Sequence, residues 1–143
     1  MVKVMASGAF DIIHPGHIHY LEQAKSLGDE LVVIIASDKT VERRKRKPVM
    51  DQEARLMVVK ALKPVDQAVL GGDGDIFQTA MRIKPDIVAL GYDQSFGEKE
   101  LAQEFEIRGM QVKIVRLSPL EGSLNGSRKI IGRVKERYQG EVT

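Results

Sequence analysis

The stretch Val2-Lys3-Val4-Met5-Ala6-Ser7-Gly8-Ala9-Phe10-Asp11-Ile12-Ile13-His14-Pro15-Gly16-His17 decides how the rest of the chain is read. It opens on an apolar run with strand character and ends at the start of a helical period. Pro15 has the preset φ and the missing N–H donor that suit a first helical turn. Ile18, Leu21, Ala24 and Leu27 then fall near one face of a helix over residues 16–27, with Gly28 placed to stop it as a C-terminal cap. The first unit is therefore strand, short loop, helix.

Working outward, the alternation continues. Further apolar runs rich in Val and Ile lie at residues 31–36, 68–70, 87–90 and 112–115. Helical stretches are expected at 51–62, with Asp51 as cap and Pro64 beyond its end, and at 75–82, 98–108 and 127–138, the last with Ser127 as N-cap. The spacing is too wide for hairpins and suits crossover helices. Near-continuous apolar runs fit strands buried on both sides. The expected fold is α/β, a Rossmann-like, doubly wound parallel sheet of five strands with helices on both faces. No repeat, low-complexity tract or linker divides the chain, so residues 1–143 are expected to form one domain, with 140–143 frayed. Ligands of such a sheet bind beyond the carboxyl ends of the strands, where strand order reverses. The loops that begin near Ser7, Ser37, Gly71, Gly91 and Leu117 are thus the ones to inspect.

Composition narrows the chemistry. The 143 residues hold no Cys, which removes disulfides, zinc ribbons, Fe–S clusters and thiol catalysis. No apolar run approaches the roughly 18 residues of a membrane span. The N-terminus runs straight into a strand, which predicts no signal peptide and a cytoplasmic chain. The net charge of +2 hides an asymmetry, because Arg43-Arg44-Lys45-Arg46-Lys47 is a five-residue basic run in an otherwise mildly acidic chain. That balance argues against a general nucleic-acid-binding protein. The run itself has two readings, a solvated charge segment or a clamp on a bound anion.

All three histidines, His14, His17 and His19, lie within six residues at the helix start. Three residues apart, His14 and His17 share one side of the first turn. A helix N-terminus offers free backbone N–H groups to an anion. Two imidazoles there add donors for phosphate oxygens and for charge that develops in a reaction. A partly buried structural pair or a zinc site are the competing readings, but no third ligand pattern accompanies them. Neither a Walker A sequence nor a complete G-x-G-x-x-G occurs. Gly71-Gly72-Asp73-Gly74-Asp75 has the alternating carboxylates of a calcium loop without its terminal Glu, and reads as a turn and helix cap.

Gly8-Ala9-Phe10-Asp11 followed by His14-Pro15-Gly16-His17 resembles the G-T-F-D and H-x-G-H signatures of the small cytidylyltransferase-like nucleotidyltransferases. The resemblance runs over nearly the whole chain: Leu27-Gly28-Asp29, Arg55, Val65-Asp66, Leu90-Gly91-Tyr92-Asp93-Gln94 and Asn125-Gly126-Ser127-Arg128-Lys129-Ile130 fit it as well. It implies an attack by a phosphate oxygen of the acceptor on the α-phosphorus of a nucleoside triphosphate, with pyrophosphate leaving. It implies a divalent cation, Mg2+ or similar, held largely by the phosphates rather than by a dedicated protein site.

By the same resemblance, His14 and His17 are catalytic and contact the triphosphate. Ala9 and Phe10 approach the nucleotide through the backbone, Pro15 and Gly16 belong to the same binding segment, Asp93 lies by the nucleoside and Ser127 by a β- or γ-phosphate. Arg44, Arg46, Lys47, Arg55 and Arg128 are candidate phosphate clamps, and Asp11, Asp66 and Tyr92 candidate acceptor contacts. Ala9 stands where the family usually has Thr, so only the backbone part of that contact carries over. One hydroxyl, Ser127, remains where the family has two.

Within the family, Gly91-Tyr92-Asp93-Gln94, the stretch Leu62-Lys63-Pro64-Val65-Asp66 and the absence of tryptophan resemble the FAD synthase group more than the glycerol-phosphate enzymes. The partners this implies are ATP and FMN. CTP with glycerol 3-phosphate or a sugar phosphate is the alternative, and a non-catalytic nucleotide-binding module a second one. Relatives are commonly homodimers, which makes a homodimer the expectation, without nucleic acid or membrane as a partner.

Overall fold

The computed structural model describes residues 1–44, 46–74, 76–122 and 125–139. Lys45 of the basic run, the expected helix start at Asp75 and the expected fraying of 140–143 lie outside the described residues.

Five strands, β1 (Lys3–Gly8), β2 (Glu30–Ile35), β3 (Gln67–Leu70), β4 (Ile87–Leu90) and β5 (Lys113–Arg116), form one sheet in the order β3-β2-β1-β4-β5. Every neighbouring pair is parallel. The expected α/β class, strand count and double winding hold. The apolar runs are strands because both sides of the sheet are covered. Val4, Ala6, Leu31, Val33 and Ile35 face one way, toward Leu21 and Ala24 of α1 (Pro15–Ser26) and Val59 of α3 (Gln52–Lys60). Met5, Ile34, Val88 and Leu90 face the other, toward Ala80 of α4 (Ile76–Ile83) and Leu101 and Phe105 of α5 (Glu98–Ile107). Each of the larger side chains here, Val, Leu, Ile, Met or Phe, contributes about 1.5–3 kcal/mol when removed from water.

Strand order reverses between β1 and β4, the two neighbours that are not consecutive in the chain. Tyr20 of α1 fastens this seam. Its hydroxyl donates to the carbonyl of Ala89 at 2.8 Å and accepts from the amide of Ser7 at 3.3 Å.

The local signals held in part. Asp51 caps α3, its Oδ1 accepting from the amide of Ala54 at 2.8 Å. Gly28 is not a left-handed cap. α1 ends at an ordinary right-handed Leu27, and Gly28 is small because a Cβ there would come within 2.8 Å of the Val2 carbonyl. The left-handed glycine sits instead at Gly109, φ +79, where the amide of Met110 donates to the Phe105 carbonyl and closes α5. Ser127 is not the cap of α6 (Ser127–Tyr138). Gly126 takes that place and Ser127 is the first helical residue. A further helix, α2 (Asp38–Arg44), stands where the sequence reads as a loop. It is seven residues long, buries only Val41, and takes Arg43 and Arg44 of the basic run into its last turn.

Candidate functional site

A cleft of about 970 Å³ opens over the carboxyl ends of β1 and β4, where strand order reverses. Its size is at the upper end for small-molecule sites, enough for more than one ligand. Two helices point their N-termini into it. His14 precedes α1 with an extended backbone, and its carbonyl accepts from the amides of His17 (3.0 Å) and Ile18 (3.3 Å). Gly126 precedes α6 in the same way. Neither start carries a side-chain cap; α5 also lacks one, while α3 has one in Asp51. Uncapped first-turn N–H groups are where an anion binds.

The histidines fulfil the geometric half of the expectation. The rings of His14 and His17 stack with centroids 3.8 Å apart and planes 24° apart. Both line the cleft. His14 is 7% exposed, and its Nδ1 is buried without a hydrogen bond. Burial lowers the pKa of His14 from its usual 6.5, so the ring is neutral at pH 7. A neutral imidazole donates one hydrogen bond.

Phe10 supports this pair. Its ring is buried and lies 5.2 Å from that of His17. The residue has a left-handed backbone, φ +53, which is unusual for a bulky side chain. The room beside Gly8 is filled by this ring, which a Cβ at Gly8 would approach to 3.0 Å. Gly16 has the tightest position. A Cβ there would meet the Asn125 carbonyl at 2.6 Å and the His14 ring at 2.9 Å. Only glycine lets the start of α1 lie against the chain that enters α6.

Several expected ligand contacts are committed elsewhere. Arg55, a candidate clamp, has its side chain fully buried. It donates to the carbonyls of Met50 (3.0 Å), Ala9 (2.7 Å) and Ala36 (2.7 Å), and pairs with Asp38 at 2.7 Å. Its charge stitches three loops and is not presented to a phosphate. Asp11, a candidate acceptor contact, lines the cleft but holds the amides of Val49 and Met50, both at 2.9 Å, and so ties down the chain after the basic run. Asp66 lies at the opposite, amino end of the strands, just before β3. It accepts from the amide of Leu31 at 2.7 Å, and Lys25 at 2.6 Å holds its carboxyl below the usual range. It is a strand-start clasp, remote from the cleft.

The remaining expected residues converge. Ala9, Pro15's neighbour Gly16, Tyr92, Asp93, Ser127 and Arg128 line the cleft, as do Arg44 and Arg46 from the basic run. Lys47 does not line it, and Pro15 lines a shallower pocket on the outer side of α1. Asp73 of the glycine-rich loop is an anchor for α2. Its Oδ1 accepts from Ser37 Oγ at 2.7 Å, and its carbonyl from Arg43 at 3.2 Å.

Sequence reasoning assigned no role to three residues, Gln94 and Asn125 within quoted motifs and Arg116 outside them. Gln94 spans the seam, its Oε1 accepting from the Gly91 amide and its Nε2 donating to the Ser7 carbonyl, each at 3.0 Å. Asn125 makes the close approach to Gly16. Arg116 holds the loop after β4. A lone arginine closing an apolar strand was the available signal for the last.

Residues 5–138 match the cytidylyltransferase-like family. The chain belongs to that family. It is 53% identical over 138 residues to the FAD synthase of Aciduliprofundum boonei, covering 96% of this chain and 93% of that one. The FAD synthase of Methanothermus fervidus is 55% identical over 136 residues, 92% of this chain and 94% of that one. The crystal structure of a lipopolysaccharide core biosynthesis protein from Thermoplasma volcanium superposes with a TM-score of 0.83 at 50% identity, over 85% of this chain and 99% of that one. Among the described residues, no helix is long and apolar enough to cross a membrane.

Proposed function

We propose that this nucleotidyltransferase moves AMP from ATP to the phosphate of FMN, giving FAD and pyrophosphate. The observation that carries the reading is the stacked His14–His17 pair at the uncapped start of α1, in the cleft where strand order reverses. The FAD synthase names of the relatives supply the acceptor.

An oxygen of the FMN phosphate attacks the α-phosphorus of ATP in line. The new O–P bond forms as the bond to the bridging α–β oxygen breaks, and that electron pair leaves with pyrophosphate. No covalent bond to the protein is made. Chemistry of this kind asks for positioning and charge stabilisation more than for a nucleophile. His14 and His17 donate to the α-phosphate and the leaving bridge. The amides at the start of α6, with Ser127 and Arg128, take the outer phosphates. Arg44 and Arg46 approach from α2 and the chain after it. A divalent cation arrives with the triphosphate as part of the substrate. Tyr92 and Asp93 face the nucleoside, and Ile34, Ile76, Phe96 and Leu117 give the cleft apolar surface suited to a flat ring system.

A sugar-phosphate acceptor is the second reading, favoured by the name of the Thermoplasma volcanium structure. A screen for pyrophosphate release separates them. ATP with FMN is expected to turn over, while CTP with glycerol 3-phosphate and ATP or CTP with sugar phosphates are not. Release with a sugar phosphate and none with FMN would transfer the assignment. The enzyme is further proposed to be cytoplasmic and to be a homodimer, the latter tested directly by sedimentation equilibrium.

A further inference from the structure

The wall of the cleft that carries Tyr92 and Asp93 is irregular chain, and a side chain outside that wall shapes it. Arg116 is the last residue of β5 and pairs in register with Leu90. It does not line the cleft. Its side chain is 28% exposed, and an arginine has five N–H donors. All five are engaged. Nη1 donates to the carbonyls of Gly91 at 3.0 Å and Gln94 at 2.7 Å. Nη2 donates to the carbonyl of Phe96 and to Glu98 Oε1 at 2.5 Å, and Nε reaches the same Glu98 oxygen at 2.9 Å.

One guanidinium therefore gathers three carbonyls of the loop and the first residue of α5. Backbone carbonyls outside the sheet need partners, and here one side chain reaches all three, the Gly91 carbonyl also accepting from the Gln94 amide at 3.2 Å. Gln94 ties the gathered loop across the seam to Ser7 of β1.

We propose that Arg116 is a positioning residue for nucleoside recognition: it fixes where Tyr92 and Asp93 stand, and so sets triphosphate affinity and the preference between bases. The inference rests on the reading above that these two residues face the nucleoside. The planar fork of arginine matters, because lysine offers three donors around a point and cannot serve four acceptors arranged in this way.

The test measures ATP and CTP binding by calorimetry on the full chain, with R116K, R116Q and wild type, alongside kcat for pyrophosphate release and amide hydrogen exchange. In R116Q, Kd for ATP is expected to rise about tenfold or more, since small misplacements of binding groups are costly. The ATP-over-CTP ratio narrows, kcat at saturating ATP stays within about threefold, and exchange quickens at residues 91–97 but not in β1. R116K falls between. A folded R116Q with unchanged Kd and base ratio overturns the proposal, as does loss of kcat with unchanged Kd. Should R116Q fail to fold, E98Q weakens the clasp at the exposed end and is expected to shift Kd the same way by a smaller factor. Faster exchange at 91–97 in E98Q with unaltered Kd would then overturn it. D93A separates the layers. If D93A leaves Kd and base ratio unmoved, the nucleoside reading itself fails. If D93A moves both and R116Q moves neither, only the role of Arg116 fails.

Discussion

The imidazoles of His14 and His17 stack at 3.8 Å in a cleft that also receives the N-termini of α1 and α6. Two cationic rings at that separation would repel, and burial already disfavours a charged His14. Both effects favour the neutral form of His14.

A pH dependence follows, with a definite sign. The pKa of His14 is lowered on folding, so below 6.5 the unfolded chain binds the extra proton first. Stability from this group is full above 6.5 and is lost as pH falls through the folded value. Urea unfolding at pH 5 and pH 7.5 is expected to show a smaller drop for His14→Gln than for wild type. An equal drop in both would remove the assignment. Triphosphate binding near pH 6.5 is expected to take up protons, read as a buffer-dependent heat in calorimetry.

Arg55 is a stability residue. Replacing it with Met strands the carbonyls of Ala9, Ala36 and Met50 and the carboxylate of Asp38. Asp38 is partly exposed, so the cost comes mainly from the three carbonyls left without a donor, about 1 kcal/mol or more each and about 3 kcal/mol together. Denaturant titration of Arg55→Met is expected to show a loss of that size, and a loss under about 1 kcal/mol would contradict the stitching role.

Gly16→Ala tests the meeting of the two helix starts. The added methyl must displace the Asn125 carbonyl from 2.6 Å or turn the His14 ring from 2.9 Å. The expected result is a fall in kcat/KM of about 100-fold, with secondary structure retained by circular dichroism. Activity near wild type would mean that the approach of α6 to α1 is not needed.

The basic run divides. Arg44→Gln is expected to raise the nucleotide KM and to weaken its dependence on ionic strength, because Arg44 lines the cleft, while Lys47→Gln changes little. Asp73→Ala removes the bond from Ser37 Oγ that anchors the start of α2, leaving only its carbonyl to hold Arg43, and is expected to raise the same KM, with little further effect in an Arg44→Gln background. Full additivity of the two would dissociate Asp73 from the clamp.

Much of this was legible from residue order. The five apolar runs became five parallel strands because buried strands need no alternation, and the histidine segment fell on the seam because the first strand lies at the centre of the sheet. The roles of single charged residues were less legible. Arg55, Asp11 and Asp66 match ligand-binding positions by motif, yet each is held by a backbone group 35 to 46 residues away in sequence, Ala9 for Arg55, Val49 for Asp11 and Leu31 for Asp66, which only the fold brings near. α2 escaped notice because seven residues with one buried side chain leave almost no period to read. Arg116 escaped because it acts through carbonyls, which the sequence does not display.

The most direct measurement follows one oxygen. FMN labelled with ¹⁸O in its phosphate, incubated with ATP, Mg2+ and the purified chain, is expected to give FAD that keeps the label in the bridge between the two phosphorus atoms, and one unlabelled pyrophosphate per FAD. His17→Ala, folded as wild type, is expected to slow that reaction by roughly 1,000-fold or more. Label in pyrophosphate, absence of FAD, or an undiminished rate in His17→Ala would contradict a direct transfer of AMP to FMN at the paired histidines.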